Sequence, residues 1–270
     1  MELDARQLSS LDTTRANPAR VWDYWLGGKD NFASDRELGD KMLRVYPLAA
    51  QMAQDNRLFL RRAVSYVAEQ GIHQFVDVGA GLPTAVNTHQ IAQLIAPAAR
   101  VAYLDNDALV VRHAQALLAG DPGVLALSGD VRDPEAILDD HDLNHFIDFT
   151  EPVCVVLSAV LHFFDVGTAR EIAATFARAI APGSYLIISI GTGDAKLTSA
   201  FAAEYKAATL QIFTPPEFAT FFDGLDLVPP GTVPALAWSG GEPARNLPHQ
   251  DATFLVGVGR KPSGGKSTTQ

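Results

Sequence analysis

Residues 74–81, Gln-Phe-Val-Asp-Val-Gly-Ala-Gly, constrain the fold of this chain more than any other stretch. Phe75, Val76 and Val78 make a short apolar run closed by glycines, the pattern of a buried strand. Asp77 stands just before the strand's end, Gly79 and Gly81 follow, and a helix-like pattern begins near Thr84. Strand, glycine turn and helix in succession form a nucleotide-binding corner, because the turn lets backbone approach a ligand and the helix start presents free N–H groups. Asp77 narrows the choice of nucleotide, since a carboxylate repels a phosphate and attracts a cation.

Around this corner the chain changes character at Gly71. Before it, the pattern is all helical. Pro18 suits a first helical position, Val21, Trp22, Trp25 and Leu26 recur at helical spacing, and Gly27 and Gly28 end that helix. Ser34 or Asp35 is the expected cap of a second helix to about Val45, and Pro47 opens a third to about Gln70. After Gly71, strands at about 74–79, 100–106, 124–129, 153–159 and 185–190 alternate with helices at about 85–96, 107–119, 134–140 and 166–180. Such alternation predicts a parallel sheet covered by helices on both faces. Helices at about 196–210 and 216–222 then precede strands at 225–228 and 252–259. The loop-like gap between those last strands leaves no room for a crossover helix, so they are expected to pair antiparallel at a mixed edge. Three regions result: an N-terminal helical cover over 1–71 packed on the same domain, an α/β domain over 72–260, and a disordered tail over 261–270.

Bulk properties exclude several function classes. At 270 residues and 47% hydrophobic, the chain can bury a full core. A net charge of −10 argues against binding nucleic acid or an anionic membrane. The single Cys154 permits no intrachain disulfide and fits a cytoplasmic setting. The N-terminus lacks the basic start and apolar core of a signal peptide, and no apolar run approaches the ~20 residues of a membrane span. Gly264-Gly265-Lys266-Ser267 is not a phosphate loop, because Arg260 stands where its first glycine belongs. His141 and His145 share a polar stretch with Asp139, Asp140 and Asp142 that reads as a solvated face, so no metal is expected.

Three carboxylates carry the chemistry. Asp77, Asp105 and Asp130 each lie at the carboxyl end of a successive strand. If the strands lie in the order three, two, one, all three line one crevice at the switch in strand order. Singly, such aspartates begin loops or cap helices, as Asp107 is expected to do. A dinucleotide would use Asp105 on its ribose, yet Thr84 replaces the third glycine of the fingerprint and Asp77 would face the pyrophosphate. S-adenosylmethionine has no phosphate. Its α-ammonium, its ribose hydroxyls and its adenine amino group match Asp77, Asp105 and Asp130 in turn.

Here the region 74–190 resembles the class I S-adenosylmethionine-dependent methyltransferases. The resemblance implies a Rossmann-like fold with a central seven-stranded, mostly parallel sheet and an antiparallel edge strand. It also implies that Asp77, Gly79 and Gly81 bind the methionine part, Asp105 the ribose and Asp130 the adenine. Asn106, Val131 and Ser158, beside those strand ends, complete the expected cofactor set on this part of the chain. Pro83 departs from the family's usual third glycine. A narrower resemblance spans nearly the whole chain. Ala19–Phe32 with its Leu-Gly-Gly-Lys-Asp-Asn-Phe, Val78–Thr84, Tyr103–Asp107 and Ala159–Phe163 are similar to an actinobacterial group of S-adenosylmethionine methyltransferases once catalogued as a domain of unknown function.

Trp22, Tyr24 and Trp25 cluster before Gly27-Gly28, so residues 16–70 are expected to cover the crevice, with Gly28 allowing close backbone approach and Asn31 adding a polar group. The competing reading makes both tryptophans core anchors and the glycines a helix end. His162, after strand four, is the candidate acid–base residue, against a histidine that binds or caps without moving protons. The resulting expectation is an S-adenosylmethionine-dependent methyltransferase acting on an unidentified small molecule by in-line displacement at the sulfonium. An NAD(P)-dependent oxidoreductase and a non-catalytic S-adenosylmethionine-binding regulator are the alternatives.

Overall fold

The computed structural model describes residues 13–83, 87–118, 120–192, 210–241 and 254–263, with 199 and 203 singly. The polar start at 1–12, Thr84, most of the helix expected at 196–210, the first residues of the last strand and most of the tail lie outside the described residues.

Among the described residues three helices precede the sheet. Helix α1 (Pro18–Trp25) has Pro18 at its first turn, and the Asn17 side chain caps it by accepting from the Ala19 N–H at 2.7 Å. Helix α2 (Ala33–Val45) has Phe32 at its N-cap rather than the expected Ser34 or Asp35. Both residues have other partners. The Ser34 hydroxyl donates to the Thr13 carbonyl, while the Asp35 carboxylate accepts from the Phe32 N–H, the Asn17 N–H and Arg20 Nε, all within 2.9 Å. Asp35 is thereby the buried tie between α1 and α2. Helix α3 (Ala49–Glu69) begins two residues beyond Pro47, and Gly71, at φ 88°, ends it in the left-handed region that glycine tolerates. Its seam of Phe59, Ala63, Val64 and Val67 is fully buried and joins the same apolar core as Phe75, Val101 and Tyr185 of the sheet.

The sheet comprises β1 (Gln74–Val78), β2 (Arg100–Asp105), β3 (Val124–Ser128), β4 (Cys154–Ser158), β5 (Tyr185–Gly191), β6 (Asp226–Leu227), β7 (Val233–Pro234) and β8 (Phe254–Arg260). Its order is β3-β2-β1-β4-β5-β8-β6, with β7 also paired to β8. Strands β1 to β5 pair in parallel, and β8 runs antiparallel to β5 and β6, so the mixed edge follows the sequence reading. The eighth strand, beyond the seven expected, is the two-residue β7. Flanking helices are α4 (Thr88–Ile95), α5 (Ala108–Leu118), α6 (Pro134–Leu138), α7 (His141–Phe146), α8 (Val166–Ala179) and α9 (Pro215–Ala219). Alternate strand residues feed two cores. Phe75, Tyr103 and Val156 pack on the α3 side, whereas Val76, Leu104 and Leu157 pack on the α8 side. This is the Rossmann-like arrangement expected from the sequence, and its order reverses between β1 and β4.

Candidate functional site

The carboxyl ends of β1, β2 and β4 open on a cleft of about 900 Å³, near the upper end of small-molecule sites. Helices α1, α2 and α3 form its opposite wall through Trp22, Asp23, Met42, Met52 and Arg57. Because the strands lie in the order three, two, one, Asp130, Asp105 and Asp77 line the same cleft. Gly79, Gly81, Asn106, Val131, Ser158 and His162 line it as well. Gly28 and Asn31 are not among the lining residues; they gather around Asp23 instead.

The glycine corner is built by backbone hydrogen bonds to β2. The Gly79 and Ala80 N–H groups donate to the Leu104 carbonyl at 2.8 and 3.1 Å. The Gly81 N–H donates to Asp105 Oδ2 at 2.9 Å, and Asp105 Oδ1 accepts from the Asp107 N–H at 2.9 Å. Gly79 has φ 71°, and a Cβ there would also stand 2.8 Å from Val160 Cγ2, so position 79 excludes other residues on two grounds. Asp107 caps α5, accepting from the Leu109 N–H at 2.8 Å, and receives Nδ2 of Asn17, the cap of α1.

The three acids differ in environment. Asp77 is 5% exposed, and burial raises its pKa to about 6 against the opposing pull of the Thr88 hydroxyl and of Arg57. Thr88 donates to Asp77 Oδ2 at 2.7 Å. Burial likewise raises the pKa of Asp105, opposed by the backbone N–H groups it accepts. Asp130 is lowered, chiefly by its hydrogen bonds from Arg132, whose Nε lies 2.9 Å from both carboxylate oxygens.

His162 sits in a single 3₁₀ turn, Leu161–Phe163, directly after β4. Its Nδ1 accepts the Gly191 N–H at 3.1 Å. Burial pushes its pKa down to about 4, so the ring is neutral near pH 7 and carries its proton on Nε2. Beside it, Ser158 Oγ accepts from Asn56 Nδ2 at 3.1 Å and meets Ser189 Oγ at 3.1 Å. Ala159 adopts φ 57°, held there by its N–H donating to the Ser189 carbonyl and hydroxyl at 3.0 Å each.

Sequence reasoning missed Asp23, Asn56, Arg57 and Arg132. Asp23 is 3% exposed, and its Oδ2 accepts from the Asp30 N–H at 3.0 Å and Asn31 Nδ2 at 2.9 Å. Asn56 had a readable signal: it lies four residues after Met52 and four before Leu60, on the buried seam of α3. A polar residue on an apolar seam marks a site. His141 and His145 do fall on a helix, α7, with His141 exposed. Among the described residues no group of three or more His, Cys, Asp or Glu is placed to hold a metal ion, and no helix is long and apolar enough to cross a membrane.

Known proteins agree with this architecture. A family model described as S-adenosyl methyltransferase matches residues 4–262. A candidate methyltransferase from Thermobifida fusca YX, known from its crystal structure, is 37% identical with a TM-score of 0.87, covering 96% of this chain and 100% of that one. A duf574 family protein from Streptomyces avermitilis MA-4680 is also 37% identical, with a TM-score of 0.85, covering 93% of this chain and 99% of that one. The CurJ carbon methyltransferase, at 12% identity and a TM-score of 0.51 over 71% of this chain and 49% of that one, shares the fold alone. No curated protein matches. With a family model spanning almost the whole chain and two relatives matched end to end, the chain belongs to the S-adenosyl methyltransferase family and is an S-adenosylmethionine-dependent methyltransferase.

Proposed function

We propose that the cleft binds the cofactor across β3, β2 and β1 and a small methyl acceptor on the β4 side. The observation that carries this reading is the alignment of Asp130, Asp105 and Asp77 along one cleft. The bound cofactor would supply an electrophilic methyl group on a sulfonium. Asp105 would accept from the ribose hydroxyls, and Asp130, with Asn106 and Val131, would meet the adenine. Asp77, a buried carboxylate with no ion-pair partner among the described residues, suits the α-ammonium. A nicotinamide dinucleotide would bring its pyrophosphate against Asp77, which disfavours that alternative. The residues present therefore fit S-adenosylmethionine.

Beyond β1, away from Asp105, the cleft is lined by Trp22, Trp25, Met42, Met52 and Phe163. That chamber suits an apolar, ring-containing acceptor, held by shape and by exclusion of water. His162 faces this part of the cleft, but its Nδ1 lone pair is engaged by Gly191. We therefore assign His162 a hydrogen-bond donor's part, through Nε2–H, in place of the acid–base part expected from its position in the sequence. Gly28 and Asn31 serve the site through Asp23 rather than by touching cofactor. Helices α1 to α3 act as the cover, docked on the rim by Asn17 and Asp107.

Calorimetric titration with S-adenosylhomocysteine and with NADH tests the assignment. Micromolar binding of the first and none of the second is expected. Binding of NADH alone would overturn it.

A further inference from the structure

We infer that Arg57 receives the carboxylate of the cofactor's amino-acid end, so that Arg57 and Asp77 together form a receptor for a zwitterion; this rests on the cofactor reading above. Arg57 lies on α3, and its Nε is enclosed without a hydrogen-bond partner. Among the described residues no carboxylate stands within ion-pair distance of its guanidinium. Arg57 is half-buried, with the rest of its side chain at the cleft, and a guanidinium nitrogen enclosed without an acceptor is costly to fold; an oxygen brought by a ligand would supply the missing acceptor.

Its acidic neighbours are already committed elsewhere. Asp77 accepts from the Thr88 hydroxyl, and Asp23 accepts from Asp30 and Asn31. Both act on Arg57 through space, as does Tyr103, while burial lowers the pKa of the guanidinium. Arg57 and Asp77 thus sit near each other in one enclosure without neutralising each other by contact. A ligand with an ammonium and a carboxylate on one carbon satisfies both groups and leaves the net charge of the enclosure unchanged.

Position supports the same partner. Arg57 lines the large cleft, and it also lines a pocket of about 20 Å³ behind the glycine turn, shared with Asp77, Gly81 and Thr88. That smaller pocket has room for one water. The guanidinium therefore stands where the glycine corner meets the cleft, at the end of the cofactor path away from Asp130. Its planar fork of donors matches a carboxylate in two parallel hydrogen bonds, which a lysine does not reproduce.

The test compares S-adenosylhomocysteine with 5′-methylthioadenosine, which keeps the nucleoside and thioether but lacks the amino-acid end. In the unaltered chain the first should bind about a hundredfold more tightly. Arg57→Met should remove most of that difference while leaving 5′-methylthioadenosine affinity unchanged, and Arg57→Lys should restore part of it. Thermal unfolding of the ligand-free Arg57→Met protein should occur at the same or a higher temperature, because an unpaired charge is removed. Equal weakening of both nucleosides, or full retention of S-adenosylhomocysteine affinity, in Arg57→Met and Arg57→Lys alike would overturn the assignment. Failure of the unaltered chain to bind either compound would instead overturn the cofactor reading, and this assignment with it.

Discussion

The Asp23 carboxylate fills the space that a side chain at position 28 would need: a Cβ built on Gly28 would lie 1.9 Å from Asp23 Oδ1. Gly28 therefore serves Asp23 as much as any ligand. With Oδ2 holding the Asp30 N–H and Asn31 Nδ2, Asp23 folds the segment 27–31 back onto its own helix. Gly28→Ala should expel Asp23 from this place and destabilise the protein by about 1–2 kcal/mol, since the half-buried donors of Asp30 and Asn31 lose their acceptor. Urea unfolding checks this; an unchanged midpoint would show that Asp23 finds an equivalent position.

Asp77 should trade stability for binding. Its folded pKa of about 6 lies above the ordinary carboxylate value, so folding favours the protonated form. Its stabilising contribution is fully present below the unfolded pKa and is lost as pH rises through about 6. Asp77→Asn keeps an acceptor for Thr88 and should stabilise the cofactor-free protein at pH 7 by up to about 3 kcal/mol while weakening S-adenosylhomocysteine binding at least tenfold. Denaturation and titration of the same variant measure both effects.

The same shift sets a pH dependence for the unaltered protein. An α-ammonium beside Asp77 favours its ionised form, so binding of S-adenosylhomocysteine should release a proton below about pH 6. Affinity should then fall by up to tenfold per pH unit below that point. Calorimetry in buffers of different ionisation enthalpy counts the protons released.

His162 should stay neutral throughout this range. A pKa pushed down to about 4 by burial means that its contribution to stability is present above the ordinary histidine value and is lost as pH falls toward 4. Nitrogen-15 NMR of the ring should show an unprotonated Nδ1 and a protonated Nε2 with no titration between about pH 5.5 and 8. A titration midpoint near 6.5 would return His162 to acid–base work.

Which parts of this molecule could be read from sequence follows from the range of the interactions involved. The β1 corner, the alternation of strands and helices and the antiparallel last pair are local patterns, and each was legible. Element ends shifted where a side chain had a distant partner, as Asp35 did with Asn17 and Arg20. Helix α7 and strand β7, of six and two residues, are too short to show periodicity. The parts that Asp23 and Arg57 play depend on which faces of α1 and α3 turn toward the sheet. That orientation is decided by packing between elements, and no spacing within either helix announces it.

A crystal structure of the complex with S-adenosylhomocysteine would test the cofactor assignment most directly. The expected result places the ribose hydroxyls within hydrogen-bond distance of Asp105, the adenine beside Asp130 and Val131, and the amino-acid end between Asp77 and Arg57. A ligand bound in the opposite sense, with its adenine against Trp22 and His162, would contradict it.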